Sequence, residues 1–163
     1  MDSHLSGGIP MTALAMEKVG STNFDEFVNL IEKLAEYEKL SPPDAGAKER
    51  LAADAQGENP KYEAYLGKTG DTAVGYMTFY FTYSTFLAQP TLFLEDIFVR
   101  EEYRGQGLGR QMLDFCRKVA RDRGCGRMEW MVLDWNLPAI RFYEKTGARR
   151  LAWYVYRLDH DQL

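Results

Sequence analysis

The sequence of 163 residues predicts an α/β chain of the α+β kind: one mixed, mostly antiparallel twisted sheet flanked by helices on both faces. Three observations predict it. Apolar residues recur at three- and four-residue steps in some runs, aromatic and β-branched residues gather in runs of strand length in others, and Gly or Pro punctuates most of the joins.

Taken in order, Ala13–Val19 reads as a short strand, and Ser21, Thr22 and Asn23 offer N-caps for a helix over Phe24–Leu40. Phe24, Phe27, Val28, Ile31, Leu34 and Ala35 share one face of that helix, and Pro42-Pro43 stops it. A weaker helix is predicted over Ala45–Ala55, then three strands, Tyr62–Leu66, Val74–Tyr83 and Leu92–Val99, as an antiparallel meander. Gly107–Arg123 carries the clearest helical stripe, with Leu108, Met112, Phe115, Cys116, Val119 and Ala120 on one side and Gly124 as its stop. A strand Arg127–Leu133, a helix Leu137–Thr146 ended by Gly147, and a last strand Leu151–Leu158 complete the order βααβββαβαβ. Residues 11–163 read as a single domain, and Met1–Pro10 as a flexible leader or an appended remnant.

Composition narrows the function. A formal charge of −4 disfavours nucleic acid as a partner, because phosphate recognition normally needs a basic face. No apolar run is long enough to cross a bilayer. Two cysteines, Cys116 and Cys125, and two histidines near the ends, His4 and His160, offer no metal cluster and no His-based triad. The expectation is a reduced, cytoplasmic protein without a metal.

The stretch "EEYRGQGLGRQMLDF" places Gly105, Gly107 and Gly109 at alternate positions before a helix. Backbone N–H groups in such a turn, with the positive end of the helix dipole, suit a phosphate or pyrophosphate. A Walker loop would require Lys and Ser/Thr where Arg110 and Gln111 stand. A dinucleotide fingerprint would require a parallel βαβ unit early in the chain.

Arg104–Gly109 matches Arg/Gln-x-x-Gly-x-Gly/Ala, the pyrophosphate motif of the GCN5-related N-acetyltransferase (GNAT) superfamily. The segments "YLGKTGDTAVGYMTFYFTYSTF", "LFLEDIFVREEYRGQGLG", "VLDWNLPAIRFYEKTGA" and "LIEKLAEYEKL" resemble the diamine (spermidine/spermine) N1-acetyltransferase branch over Val19–Asp159. The resemblance implies the GNAT fold and an acetyltransferase using acetyl-CoA. It assigns the pantetheine arm to the backbone of Ile97, Phe98 and Val99, and the pyrophosphate to Arg104, Gly105, Gln106, Gly107, Leu108, Gly109 and Arg110. Asn136, Pro138 and Ala139 fall to the pantetheine side, Asn136 also reading as a helix N-cap.

An alkyl amine is neutral in only roughly one molecule in a thousand at pH 7, so transfer benefits from a base. The resemblance gives that role to Glu95 and the role of general acid to Tyr143, which on residue pattern alone also reads as a core tyrosine sharing a face with Ala139 and Ile140. In a regular strand Asp96 projects to the side opposite Glu95, unless a bulge intervenes. Cys116 reads as core rather than as a nucleophile.

The resemblance also implies that Tyr37 and Glu38 line the acceptor site and that Asp96 and Glu129 lie beside it, where carboxylates would draw in a cationic amine. After Gly147, "ARRLAWYVYRLD" replaces the acidic stretch of the diamine branch, which points to a smaller diamine or a lysine analogue as well as to polyamines. The implied partners are a small-molecule amine and a second copy in a homodimer. A protein-lysine or N-terminal acetyltransferase, and a non-catalytic acyl-CoA-binding regulatory module, are the alternatives.

Overall fold

The computed structural model describes residues 13–163, so the leader expected over Met1–Pro10 lies outside the described residues. The chain forms two compact units, the first ending at Met131 and the second running from Val132 to Leu163.

The first unit holds a five-stranded sheet in the order β1-β2-β3-β4-β5: β1 Ala15–Lys18, β2 Glu63–Thr69, β3 Thr72–Ser84, β4 Gln89–Val99 and β5 Arg127–Trp130. The first three pairings are antiparallel and β4 with β5 is parallel, giving the mixed sheet expected. Helix α1 (Phe24–Glu38) packs Phe27 against Tyr76 of β3, ring centroids 5.4 Å apart. Helix α3 (Leu108–Asp122) sets Cys116 Sγ against Met77 Sδ at 3.0 Å and Phe115 against Tyr65 at 4.9 Å. Neighbours Tyr76 and Met77 point to opposite faces, so α1 and α3 cover opposite sides of the sheet. Helix α2 (Ala45–Asp54) is the short one between, capped by Asp44 Oδ1, which accepts from Ala47 N–H at 2.8 Å.

Asn23 stands at the N-cap position of α1 but does not cap it. Its side chain turns back to brace the turn after β1: Oδ1 accepts from Gly20 N–H at 2.8 Å, and Nδ2 donates to Lys18 O at 3.2 Å and to Glu17. Two of the meander strands run longer than their apolar cores suggest, because β3 and β4 continue pairing through polar residues to Ser84 and Gln89.

In the second unit, α4 (Leu137–Lys145) is capped by Asn136, whose Oδ1 accepts from Ala139 N–H at 3.3 Å, as the N-cap reading expects. The predicted strand Leu151–Leu158 is absent as a strand: the segment enters no ladder. A β-pattern becomes a strand only when a neighbour satisfies its backbone, and this unit has no second strand. β5 likewise ends at Trp130 rather than at the expected Leu133, where its pairing with β4 stops.

Candidate active site

Two features of β4 build the site. The first is a bulge. Asp96 pairs with Thr78 and Leu94 with Phe79, so Glu95 is an extra residue without an opposite number on β3. The extra residue resets the alternation. Leu94 faces the α3 side with Phe79, whereas Asp96 shares the α1 side with Thr78 and Tyr76, and Glu95 lies close enough to Tyr80 to raise the pKa of its hydroxyl after burial has done so. The bulge therefore brings both carboxylates to one face, the exception to strict alternation that the sequence left open.

The second is an open edge. The ladder of β4 with β5 runs only from Thr91↔Arg127 to Leu94↔Trp130. Arg100 N–H donates to Val74 O, which fixes the alternation beyond that point: Asp96 and Phe98 direct their backbone groups to β3, and Ile97 and Val99 direct theirs to the open side. Val99 O accepts from Arg104 Nε at 2.9 Å, in keeping with that direction. Of the three residues expected along the pantetheine arm, Ile97 and Val99 thus present backbone to the opening, and Phe98 instead buries its ring beside Tyr76 at 6.1 Å.

β4 closes in on β3 through Gly75, where an added Cβ would stand 2.3 Å from Phe98 O. Beyond Val99, a 3₁₀ turn (Glu101–Tyr103) leads into the glycine loop. Gly105 and Gly107 have φ of 76° and 78°, the left-handed region that side chains disfavour, and a Cβ at either would meet nothing within 4 Å. These glycines serve backbone conformation rather than tight packing. Gly107 is the N-cap of α3, no side chain caps that helix, and Leu108 anchors its first turn in the core. Gly109 lies inside the helix. An uncapped helix start behind a left-handed glycine suits a diphosphate. Arg104 does not simply point to that anion: its guanidinium lies 4.8 Å over the Tyr37 ring and 5.8 Å from that of Phe98. Arg110 pairs with Asp114 at 3.0 Å.

Around the bulge the environment is acidic. Asp96 Oδ2 accepts from Thr78 Oγ1 at 3.0 Å. Burial, with Glu95 and Glu38 nearby, pushes the Asp96 carboxyl up to about 6, against the opposing hydrogen bond from Thr78. Glu38, the last residue of α1, is itself raised by burial. Glu129 sits on β5 opposite Phe93 and pairs with Arg127 at 3.0 Å, so its charge is compensated within the strand. Burial pushes the Cys116 thiol up to about 12, which leaves it a core side chain and no nucleophile. Tyr143, Asn136, Pro138 and Ala139 all belong to the second unit. Tyr143 is half-buried on α4 with its ring 5.2 Å from Phe142, and its carbonyl accepts from Thr146 Oγ1 at 2.6 Å. Sequence reasoning missed Tyr76 and Thr78: both look like ordinary residues of an apolar strand, and only the register places them beside Asp96.

The chain belongs to the GNAT acetyltransferase family, whose sequence profile matches residues 29–148. It is 34% identical over 165 residues to the thialysine N-epsilon-acetyltransferase of Sus scrofa, covering 94% of this chain and 96% of the relative. It is 43% identical over 109 residues to the L-ornithine N5-acetyltransferase NATA1 of Arabidopsis thaliana, covering 65% of this chain and 48% of the relative. An integron cassette protein from the mobile metagenome of V. cholerae shares the fold with a TM-score of 0.77 at 19% identity, covering 91% and 94% of the two chains. The protein is an acetyl-CoA-dependent N-acetyltransferase acting on an amine. Its relatives extend beyond the diamine branch that its motifs resemble.

Proposed function

We propose that the acceptor is the primary amine of a small basic molecule of the lysine-analogue or ornithine kind, with diamines as further acceptors. The observation that carries this reading is the bulge: it gathers Glu95 and Asp96 on one face, with Glu38 beside them, next to a backbone edge left open for an extended thioester arm. Three carboxylates in one place favour a compact cation over a neutral peptide backbone. The names of the pig and Arabidopsis relatives support the choice of a basic amino-acid side chain.

In this reading Ile97 and Val99 align the pantetheine arm through their backbone, and Asn136, Pro138 and Ala139 contribute from the start of α4. The loop from Arg104 to Arg110 receives the diphosphate mainly through backbone N–H groups. Acetyl-CoA supplies the activated acetyl thioester. Glu95, exposed at the bulge, takes the ammonium proton, and Tyr143 protonates the departing thiolate. Glu38 and Asp96 draw in the amine, and Tyr37 and Glu129 help to orient it. The two units act as one domain and the protein as a homodimer, for which the exposed aromatic residues of the C-terminal segment are the support.

Single-turnover transfer separates these roles from binding. Glu95→Gln and Tyr143→Phe are each expected to lower kcat about 10²-fold or more while changing the acetyl-CoA dissociation constant less than about threefold. Unchanged kcat in either variant removes that residue from the chemistry.

A further inference from the structure

The two carboxylates at the bulge occupy unlike surroundings. Glu95 is exposed. Asp96 is largely enclosed, with Thr78 Oγ1 donating to it at 3.0 Å and Glu38 close by. Tyr76, from the same face of β3, is fully buried, its ring held by Phe27 at 5.4 Å and Phe98 at 6.1 Å. Its hydroxyl interacts with Asp96, and Glu38 and Glu95 are its other charged neighbours. A phenylalanine would fill the same core volume without a polar group to satisfy, so a buried hydroxyl among three carboxylates is placed to steady Asp96.

We propose that Asp96 is the proton-holding member of a Glu95–Asp96 carboxylate pair, taking through Glu95 the proton lifted from the acceptor amine while Thr78 and Tyr76 act as its positioning residues. The proposal rests on the reading of the protein as an amine acetyltransferase. An N–H bond of the ammonium breaks, its electron pair stays on nitrogen for attack on the acetyl carbon, and an O–H bond forms on Glu95. That O–H bond is then exchanged for one on Asp96, and the proton leaves to water between turnovers.

The groups facing Asp96 are Glu95 from its own strand, Tyr76 and Thr78 from β3 and Glu38 from the end of α1. Arg104, on the loop after β4, directs its Nε to Val99 O. Burial and the two neighbouring carboxylates favour the protonated form of Asp96, and the Thr78 and Tyr76 hydroxyls oppose them. A carboxyl poised near pH 6 retains a proton that an ordinary one sheds at once.

The test is the pH dependence of kcat/KM for an amine acceptor with acetyl-CoA saturating, in which the acidic limb belongs to the enzyme carboxyl and the basic limb to the amine. Thr78→Val removes a bond to the carboxylate and should move the acidic limb up by about half a pH unit or more, whereas Glu38→Gln removes a negative neighbour and should move it down by a similar amount. Asp96→Asn should abolish that limb and lower kcat about 10²-fold with acetyl-CoA affinity kept. An acidic limb that stays put in both Thr78→Val and Glu38→Gln, in variants that still bind acetyl-CoA, overturns the proposal. Should Thr78→Val fail to fold, the isosteric Glu38→Gln decides alone. An inactive wild-type enzyme on every amine would overturn the amine reading itself, a result distinct from a fixed limb in an active enzyme.

Discussion

A carboxyl group enclosed beside two others weakens the fold at the pH where it serves chemistry. The folded form holds the Asp96 proton up to about pH 6, against an ordinary value of 3.8, so folding binds a proton between those limits. The contribution to stability is greatest below about pH 4 and is lost as pH rises through 6. Asp96→Asn should therefore stabilise the protein at pH 7.5 by on the order of 2 kcal/mol, and the gain should fade toward pH 4. Denaturant unfolding of the two proteins at pH 4 and pH 7.5 checks it, and a gain independent of pH contradicts it. At this scale the sequence was partly legible. Glu95 and Asp96 stand out as adjacent carboxylates in an apolar strand, but strict alternation separates them. What unites them is an extra residue in β4 relative to β3, a property of the pairing that neither strand displays alone.

The elements that flank the bulge set the opening for the donor. Gly107 needs a φ of 78° and lies in open space, so its replacement costs backbone strain rather than a clash. Gly107→Val should weaken acetyl-CoA binding at least about tenfold by displacing the first turn of α3, a loss that titration calorimetry would read. Gly75 answers to the opposite constraint: its Cβ position is filled by Phe98 O. Gly75→Ala should push β4 away from β3 opposite Val99, lowering stability by about 1–3 kcal/mol and donor affinity with it. A melting temperature equal to that of the wild type would contradict this. Helix α3 was readable in the sequence almost to its ends, because a stripe at helical spacing, a glycine before it and Gly124 after it all agree. Both ends of β3, the start of β4 and the end of β5 were not, since they depend on where a neighbouring strand stops, whereas Val99 and Arg127 stand at the expected boundaries.

At the scale of the molecule, the second unit carries a run of exposed aromatic side chains. Trp153, Tyr154 and Tyr156 are 82%, 88% and 92% exposed in a segment whose residues suit a strand but enter no ladder. The sequence alone suggested a strand there because propensity records what a residue tolerates, whereas a ladder requires a neighbour. A homodimer would cover such a surface. Sedimentation equilibrium should give about twice 18.7 kDa, and Trp153→Ser with Tyr156→Ser should shift the protein toward monomer. A wild-type mass of one chain contradicts this assignment.

The most direct test of the whole account is coenzyme A thiol release from acetyl-CoA by the wild-type protein, compared across thialysine, ornithine, lysine, putrescine, spermidine and a short lysine peptide at pH 8. The basic amino acids should give kcat/KM at least about tenfold above the peptide, with diamines between. Release that is fastest with the peptide, or absent with every small amine, would contradict it.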